Sequence, residues 1–210
     1  MKSKTQNPLL SVETMPRAIP AIILAAGASR RLGQPKALLE IGNTTLVGLA
    51  YQRLLQAGCS PIVIVTRSEL SVEVMQQTPG SQVHVNPTPE NGRTGSLQCG
   101  LLSLASDKGR IPKGVVVSPV DRPGWTVEHV KSLMQAKTSS SLCSQGRRGH
   151  PIFLDETAIQ TVLAAPAGSP LRGLIPFESH EVDGPLLGLN IDNPEDVALL
   201  LHYEKILLES

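Results

Sequence analysis

The chain is poor in aromatic residues: one tryptophan, two tyrosines and two phenylalanines in 210 positions. Without such rings there are no stacking platforms for a single-stranded nucleic acid. The core must rest instead on Leu, Ile, Val and Ala. Excess charge is also missing, since the formal net charge is +1, which removes the general electrostatic reason to bind nucleic acid or a membrane surface. The three cysteines, Cys59, Cys99 and Cys143, are odd in number and widely spaced. They indicate neither a disulfide framework nor a zinc knuckle, and read as small buried hydrophobes in a reducing compartment. No apolar run reaches membrane-spanning length. The opening stretch MKSKTQNPLLSVETMPRA lacks the apolar centre of a signal peptide. Residues 1–17 are therefore expected to be a flexible tail, residues 18–210 a single domain, and the protein cytoplasmic.

What is present is an alternation. Short Ile- and Val-rich runs at Ile19–Ala25, Ile62–Thr66, Val83–Asn86 and Val115–Ser118 do not alternate with polar residues, the pattern of strands covered on both faces. Between them, Thr44–Ala57 places Leu46, Leu49, Ala50, Leu54 and Ala57 on one helical face, and Gly58 supplies a stop. Further helices are expected over Gly95–Ser106, over Thr126–Ala136 and from Pro194, where Asn193 caps and Glu195 and Asp196 sit at the positive end. The Gly-, Pro- and Ser-rich region Ser139–Pro185 is expected to be less regular, with a strand at Ile152–Leu154. This succession predicts an open α/β sheet, whose ligands lie outside the carboxyl ends of its strands.

The loop after the first strand, LAAGASRRLGQPK, concentrates glycine and basic residues at that edge. Gly27 and Gly33 are separated by five residues, which is not a dinucleotide fingerprint, and the second strand ends in Thr66-Arg67 without a ribose-binding acid. Gly33 is followed by Gln34-Pro35, so this is no P-loop either. What remains is a glycine turn whose N–H groups can approach an anion, with Arg31 and Lys36 to neutralise it. From the loop alone, that cradle and a solvated surface turn are equal readings. Asp121 follows the run GVVVSPV and is bracketed by Pro119 and Pro123. By spacing it reads as a turn or cap residue more readily than as a metal ligand. Asn190 and Asp192 are expected two apart on a short strand, and so on one face.

The whole stretch LAAGASRRLGQPKALLEIGNTTLV resembles the first signature of the MobA-like nucleotidyltransferases, in particular the molybdenum cofactor cytidylyltransferase branch. Four further segments resemble that branch in order: NPTPENGRTGSLQCGLLSL, VVVSPVDRPGW, GRRGHPIFL and LNIDNPEDVALL. The resemblance runs from Ile22 to about Leu201. It implies a three-layer α/β/α, Rossmann-like (GT-A-like) fold with a mostly parallel sheet. It also implies Mg²⁺-dependent transfer of CMP from CTP to the phosphate of a molybdopterin-type acceptor, with release of pyrophosphate.

The residues it implies for the nucleotide are Leu24, Ala25, Ala26, Gly27, Arg31, Lys36, Thr66, Asn86, Gly92 and Ser96, with Arg31, Lys36 and Asp121 as the catalytic set. Arg147, Arg148, Gly149, His150 and Pro151 are implied for the acceptor. Asp121 and Asp192 are implied as metal ligands, and Asn190 is a weaker one because the family usually has Asp there. Ala26 points to cytosine, since GTP-using relatives tend to carry glycine at that place. Arg93 departs from the usual Met. The alternatives left open are GTP, another phosphorylated acceptor, or a non-catalytic nucleotide-binding or cofactor-chaperone protein. A molybdoenzyme or chaperone would then receive the product.

Overall fold

Runs of Ile and Val bury best where a sheet is covered on both sides, and the chain builds such a sheet. The computed structural model describes residues 18–209; the expected N-terminal tail lies outside the described residues. The strands are β1 (Ala21–Leu24), β2 (Glu40–Ile41), β3 (Thr44–Thr45), β4 (Ile62–Thr66), β5 (Gln82–Val85), β6 (Gly114–Pro119), β7 (Ser140–Ser144), β8 (Arg147–Asp155) and β9 (Glu178–Glu181). The helices are α1 (Leu46–Gln56), α2 (Ser71–Gln77), α3 (Gly92–Lys108), α4 (Val127–Leu133), α5 (Glu156–Ala164), α6 (Leu171–Leu174), α7 (Pro194–His202) and α8 (Glu204–Glu209).

Seven strands form the main sheet in the order β5-β4-β1-β6-β8-β7-β9. The pairs β1·β4, β1·β6, β4·β5 and β7·β9 are parallel, and β8 alone runs against the rest. The fold is thus the expected three-layer α/β/α arrangement with a mostly parallel sheet. Alternate residues serve opposite faces. Ala21, Ile23, Ile64, Val116 and Phe153 share one core with α1, α4, α7 and α8. Ile22, Leu24, Val63, Val65, Val117 and Leu154 share the other with α3 and α5. Gly100 lets α3 lie close on β1, because a Cβ there would stand 2.9 Å from Ile22 Cγ2.

Two expectations are corrected. The region Ser139–Pro185 is more regular than its composition indicates, holding β7, a nine-residue β8, α5 and β9. Its serines read as loop, yet β7 is buried throughout. Their hydroxyls bond locally: Ser140 Oγ donates to Thr138 O at 2.9 Å, and Ser139 donates to Asp155 through both its N–H and its hydroxyl. Second, Thr44 and Thr45 do not begin the helix. They pair with Glu40–Ile41, and Thr45 Oγ1 caps α1 by accepting from Gly48 N at 3.2 Å. Asn193 caps the helix from Pro194 as read, with Asp196 closing a capping box. The three cysteines are free, and burial pushes the Cys59 thiol up to about 12. Among the described residues no helix is long and apolar enough to cross a membrane.

Arg53 on α1 joins the face of α1 to the loop behind β6. It is 3% exposed. Its guanidinium donates to the carbonyls of Pro123, Trp125 and Leu207 and lies 5.5 Å from the Trp125 ring centroid. Trp125 is itself 1% exposed, so it is a core residue. Burial lowers the Arg53 pKa to about 10, which still leaves it charged at neutral pH. Arg53→Met would strand three carbonyls in the core, so urea unfolding is expected to show a loss of about 3 kcal/mol. A loss below about 1 kcal/mol would mean that those carbonyls find water instead.

Candidate active site

The parallel register sets the carboxyl ends of β1 and β6 side by side, with Leu24 opposite Pro119. Val120 N donates to Leu24 O at 3.1 Å and Ala25 N to Val65 O at 2.8 Å, so both loops leave the sheet at one edge. The loop after β1 is tightly wound. Ser29 has φ of 49° and Gly33 φ of 74°. Leu32 N and Gly33 N both donate to Ser29 O, and Lys36 N donates to Ser29 Oγ at 3.1 Å. Ser29 thus folds the turn back and delivers Lys36. A Cβ at Gly27 would meet nothing within 4 Å, so the protein's own packing does not require that glycine.

The loop after β6 is held against the segment before α7. Ile191 N donates to Asp121 O at 2.9 Å. A Cβ on Gly124 would stand 1.7 Å from Leu186 O, so the two backbones touch where only glycine fits. These contacts bring Asp192 beside Asp121. Lys36 Nζ sits between them, hydrogen-bonded to Asp192 Oδ1 and 3.6 Å from Asp121 Oδ2, with Arg31 Nη2 3.1 Å from Asp192 Oδ2. Lys36 and Asp121 are largely buried, while Arg31 is exposed. The Lys36 hydrogen bond, followed by that of Asn190, holds the Asp192 carboxyl down to about 2; the charges of Lys36 and Arg31 add to this and burial opposes it.

These groups line a cleft of about 420 Å³, within the range of small-ligand sites. Leu24, Ala25, Ala26, Gly27, Arg31, Lys36, Gly92, Ser96, Asp121 and Asp192 all line it. Ser29, Leu70, Pro89 and Arg93 line it too. Ser29 and Leu70 carried no sequence signal, because their places depend on a left-handed turn and on the packing of a neighbouring loop.

Other residues singled out from the sequence do not line it. Thr66 is fully buried at the end of β4. Asn86 is buried one layer back, where its Nδ2 donates to Ser96 Oγ at 3.0 Å and its Oδ1 accepts from Thr88 N. Ser96 Oγ in turn donates to Gly92 O at 3.2 Å. Residues Arg147 to Pro151 lie on β8 outside the cleft lining, with Arg147 and Arg148 exposed. Asn190 and Asp192 are not on a strand, which corrects the expected shared face. Their proximity comes from a hydrogen bond, Asn190 Nδ2 to Asp192 Oδ2 at 2.7 Å, so the amide steadies the carboxylate and faces a recess on its outer side. Asp196 Oδ2 accepts from the N–H groups of Asp192 and Asn193, which fixes the segment from below.

A glycine turn, two basic side chains and two carboxylates at one edge of such a sheet suit a polyphosphate and a cation. Residues 21–182 match the MobA-like NTP transferase domain, and the chain belongs to that family. It is 30% identical to the nicotine blue oxidoreductase of Paenarthrobacter nicotinovorans, over 72% of this chain and 79% of that one. It is 25% identical to the molybdenum cofactor cytidylyltransferase of Escherichia coli K12, over 85% of this chain and 93% of that one. Among solved structures, Rv0371c of Mycobacterium tuberculosis H37Rv shares the fold, with a TM-score of 0.74 at 24% identity, covering 88% of this chain and 97% of that one.

The depressed Asp192 pKa sets a pH window. Its contribution is present above the ordinary carboxylate value of 3.8 and is lost as pH falls through about 2. That contribution amounts to about 2 kcal/mol at neutral pH. Asp192→Asn is expected to lower unfolding free energy by that much at pH 7 and to flatten the decline between pH 4 and pH 2. Equal declines in the two proteins would place the acid sensitivity elsewhere.

Proposed function

We propose that the protein transfers CMP from CTP to the phosphate of a molybdopterin-type acceptor, releasing pyrophosphate. The observation that carries this reading is the meeting of Lys36, Asp121 and Asp192 beside the Gly27 turn in one cleft. The likeness to a molybdenum cofactor cytidylyltransferase over 85% of the chain supports the acceptor class. Ala26 lines the cleft, and the alanine that the family resemblance links to CTP-using members supports cytosine.

The reaction asks for positioning and charge neutralisation more than covalent work. An acceptor phosphate oxygen bonds to the α-phosphorus while the α–β anhydride bond breaks, and pyrophosphate leaves. The open space at Gly27 lets backbone N–H groups approach the phosphates. Arg31, exposed at the mouth, takes the β/γ end. Lys36, pre-positioned by Ser29, neutralises the charge that grows at the α-phosphate.

The donors present fit a divalent cation. Asp121 Oδ1 is buried with no hydrogen-bond partner among the described residues. Asp192 stands beside it, and the Lys36 ammonium already places a positive charge between the two. Among the described residues no group of three or more His, Cys, Asp or Glu could hold a metal. Two carboxylates completed by phosphate oxygens and water suit Mg²⁺. Asp121 and Asp192 would hold it, and its chemistry when bound is charge neutralisation at the phosphates. The solved manganese complex of Rv0371c is a neighbour in fold.

Calorimetry with CTP and GTP, each with and without Mg²⁺, is expected to show metal-dependent binding that favours CTP. Ala26→Gly should narrow that preference; equal affinities in the parent protein would end the cytosine assignment. Lys36→Met should lower kcat/KM for pyrophosphate release by about 10²–10³-fold, the scale of removing one preorganised charge-stabilising donor. Binding of CTP without any pyrophosphate release, unchanged by Asp121→Ala, would instead support a non-catalytic carrier. The likeness to a nicotine blue oxidoreductase favours a second reading, redox chemistry on this fold. It requires NADH or NADPH to raise the melting temperature, and absence of that shift rejects it.

A further inference from the structure

Beside the cleft, and reaching its wall at Arg93, lies a group of basic side chains that takes no part in the Lys36, Asp121 and Asp192 contacts. Four elements contribute one residue each. Arg93 stands on the first turn of α3 and lines the cleft wall. Arg122 follows Asp121 in the loop after β6, its N–H donating to Pro119 O. His150 lies on β8, two residues before Ile152, which pairs with Val117 near the carboxyl end of β6. The reversed strand therefore carries the histidine to the same carboxyl edge that holds Asp121. Arg172 lies on α6, and the turn before it is tied to the start of α3: Thr94 Oγ1 donates to Ser169 O at 2.6 Å and Gly95 N to Ala167 O at 3.0 Å.

These groups lack the partners that basic groups take when they are only structural. Among the described residues no carboxylate lies within ion-pair distance of Arg93, Arg122 or Arg172. Arg122 Nε and His150 Nδ1 are buried with no hydrogen-bond partner among the described residues. A buried donor left unmade costs free energy that a ligand recovers. Burial, with the charges of Arg93, Arg122 and Arg172 adding to it, holds the His150 pKa down to about 3, so the ring is neutral at pH 7 and can donate without adding charge. Arg147 and Arg148 stand apart from this group: they pair with Ser144 and Cys143 near the turn of the β7–β8 hairpin, and Arg148 Nε donates to Ser179 Oγ.

We propose that Arg93, Arg122, Arg172 and His150 form a second anion-binding subsite, adjoining the Lys36 cleft and built for a phosphate monoester dianion. Its inner wall is Arg122 and His150, which are partly buried, and its rim is Arg93 and Arg172, which are exposed. Guanidinium forks pair with phosphate oxygens, and three such cations beside a neutral ring suit a dianion better than a singly charged anion. Naming the occupant as the acceptor's phosphate rests on the nucleotidyl-transfer reading above; the subsite as an anion site does not.

The test is nuclear magnetic resonance on the full chain at pH 7, following the His150 ring and the Gly27 amide. Phenyl phosphate is titrated in after a non-hydrolysable CTP analogue and Mg²⁺ have been added to saturation. The expected result is that the nucleotide moves Gly27 and leaves His150 in place, and that phenyl phosphate then moves His150. Arg122→Gln and Arg172→Gln should each weaken phenyl phosphate binding about tenfold, and Arg172→Lys less, as expected for charge-assisted contacts. Because Arg172 is exposed, its variants keep the fold, which the unchanged Gly27 response to nucleotide checks. Movement of His150 by nucleotide alone would assign these arginines to the triphosphate and overturn the proposal. So would phenyl phosphate binding that Arg172→Gln and Arg122→Gln leave unchanged, or a His150 ring that phosphate never moves. If His150 responds to phenyl phosphate while Gly27 never responds to nucleotide, the subsite stands and the nucleotidyl-transfer reading falls.

Discussion

A lysine ammonium held between two carboxylates, at an edge only partly reached by water, is the contact on which the arrangement of this cleft depends. Lys36, Asp121 and Asp192 come from three segments far apart in the chain. Away from bulk water a bare pair of carboxylates would repel strongly, and a lone ammonium would be costly to desolvate. Together they satisfy one another and draw three loops to one place. Under the proposed nucleotidyl transfer, a polyphosphate would offer Lys36 a competing anion, and a divalent cation would offer the carboxylates a competing charge.

Around that contact the structure supplies stiffness. Ser29 accepts the Lys36 N–H and fixes where the lysine starts. Asp196 accepts the N–H groups of Asp192 and Asn193, so the helix cap of α7 also orients a cleft residue. Arg53 clasps the Pro123 and Trp125 carbonyls from beneath, tying the loop of Asp121 to α1 and α8. The loop bearing Asp121 is thus held from both sides, by Ile191 above and by a buried guanidinium below. This is a supporting layer of the kind that keeps reactive groups in register.

Much of the fold could be read in the residues. The Ile and Val runs mark β4 to the residue, and β1, β5 and β6 within one or two, because such unbroken runs have few alternatives to a doubly covered strand. The helix at Pro194 was legible because capping chemistry is local. The stretch from Ser139 was not, since serines that look loop-forming can be buried once their hydroxyls find neighbouring carbonyls. α2 leaves no mark in the sequence, as its short run SVEVMQQ buries only Val74 and so has almost no apolar period. The spacing of Asn190 and Asp192 predicts one shared strand face, whereas a side-chain hydrogen bond between them does the aligning.

The sequence alone determined which chemistry is available: a glycine turn carrying Arg31 and Lys36, a carboxylate after an apolar strand, and five segments in family order. Those are properties of neighbouring residues, and local pattern is what a linear chain displays. Only the tertiary structure decided which of these groups meet. It set Lys36 between Asp121 and Asp192, put Asn86 behind Ser96 and not in the cleft, and parted His150 from Arg147 and Arg148 to place it among Arg93, Arg122 and Arg172. The physical reason is that strand register and loop-to-loop backbone contacts, such as Ile191 N to Asp121 O, act between residues remote in sequence. They leave no mark on the spacing of either partner.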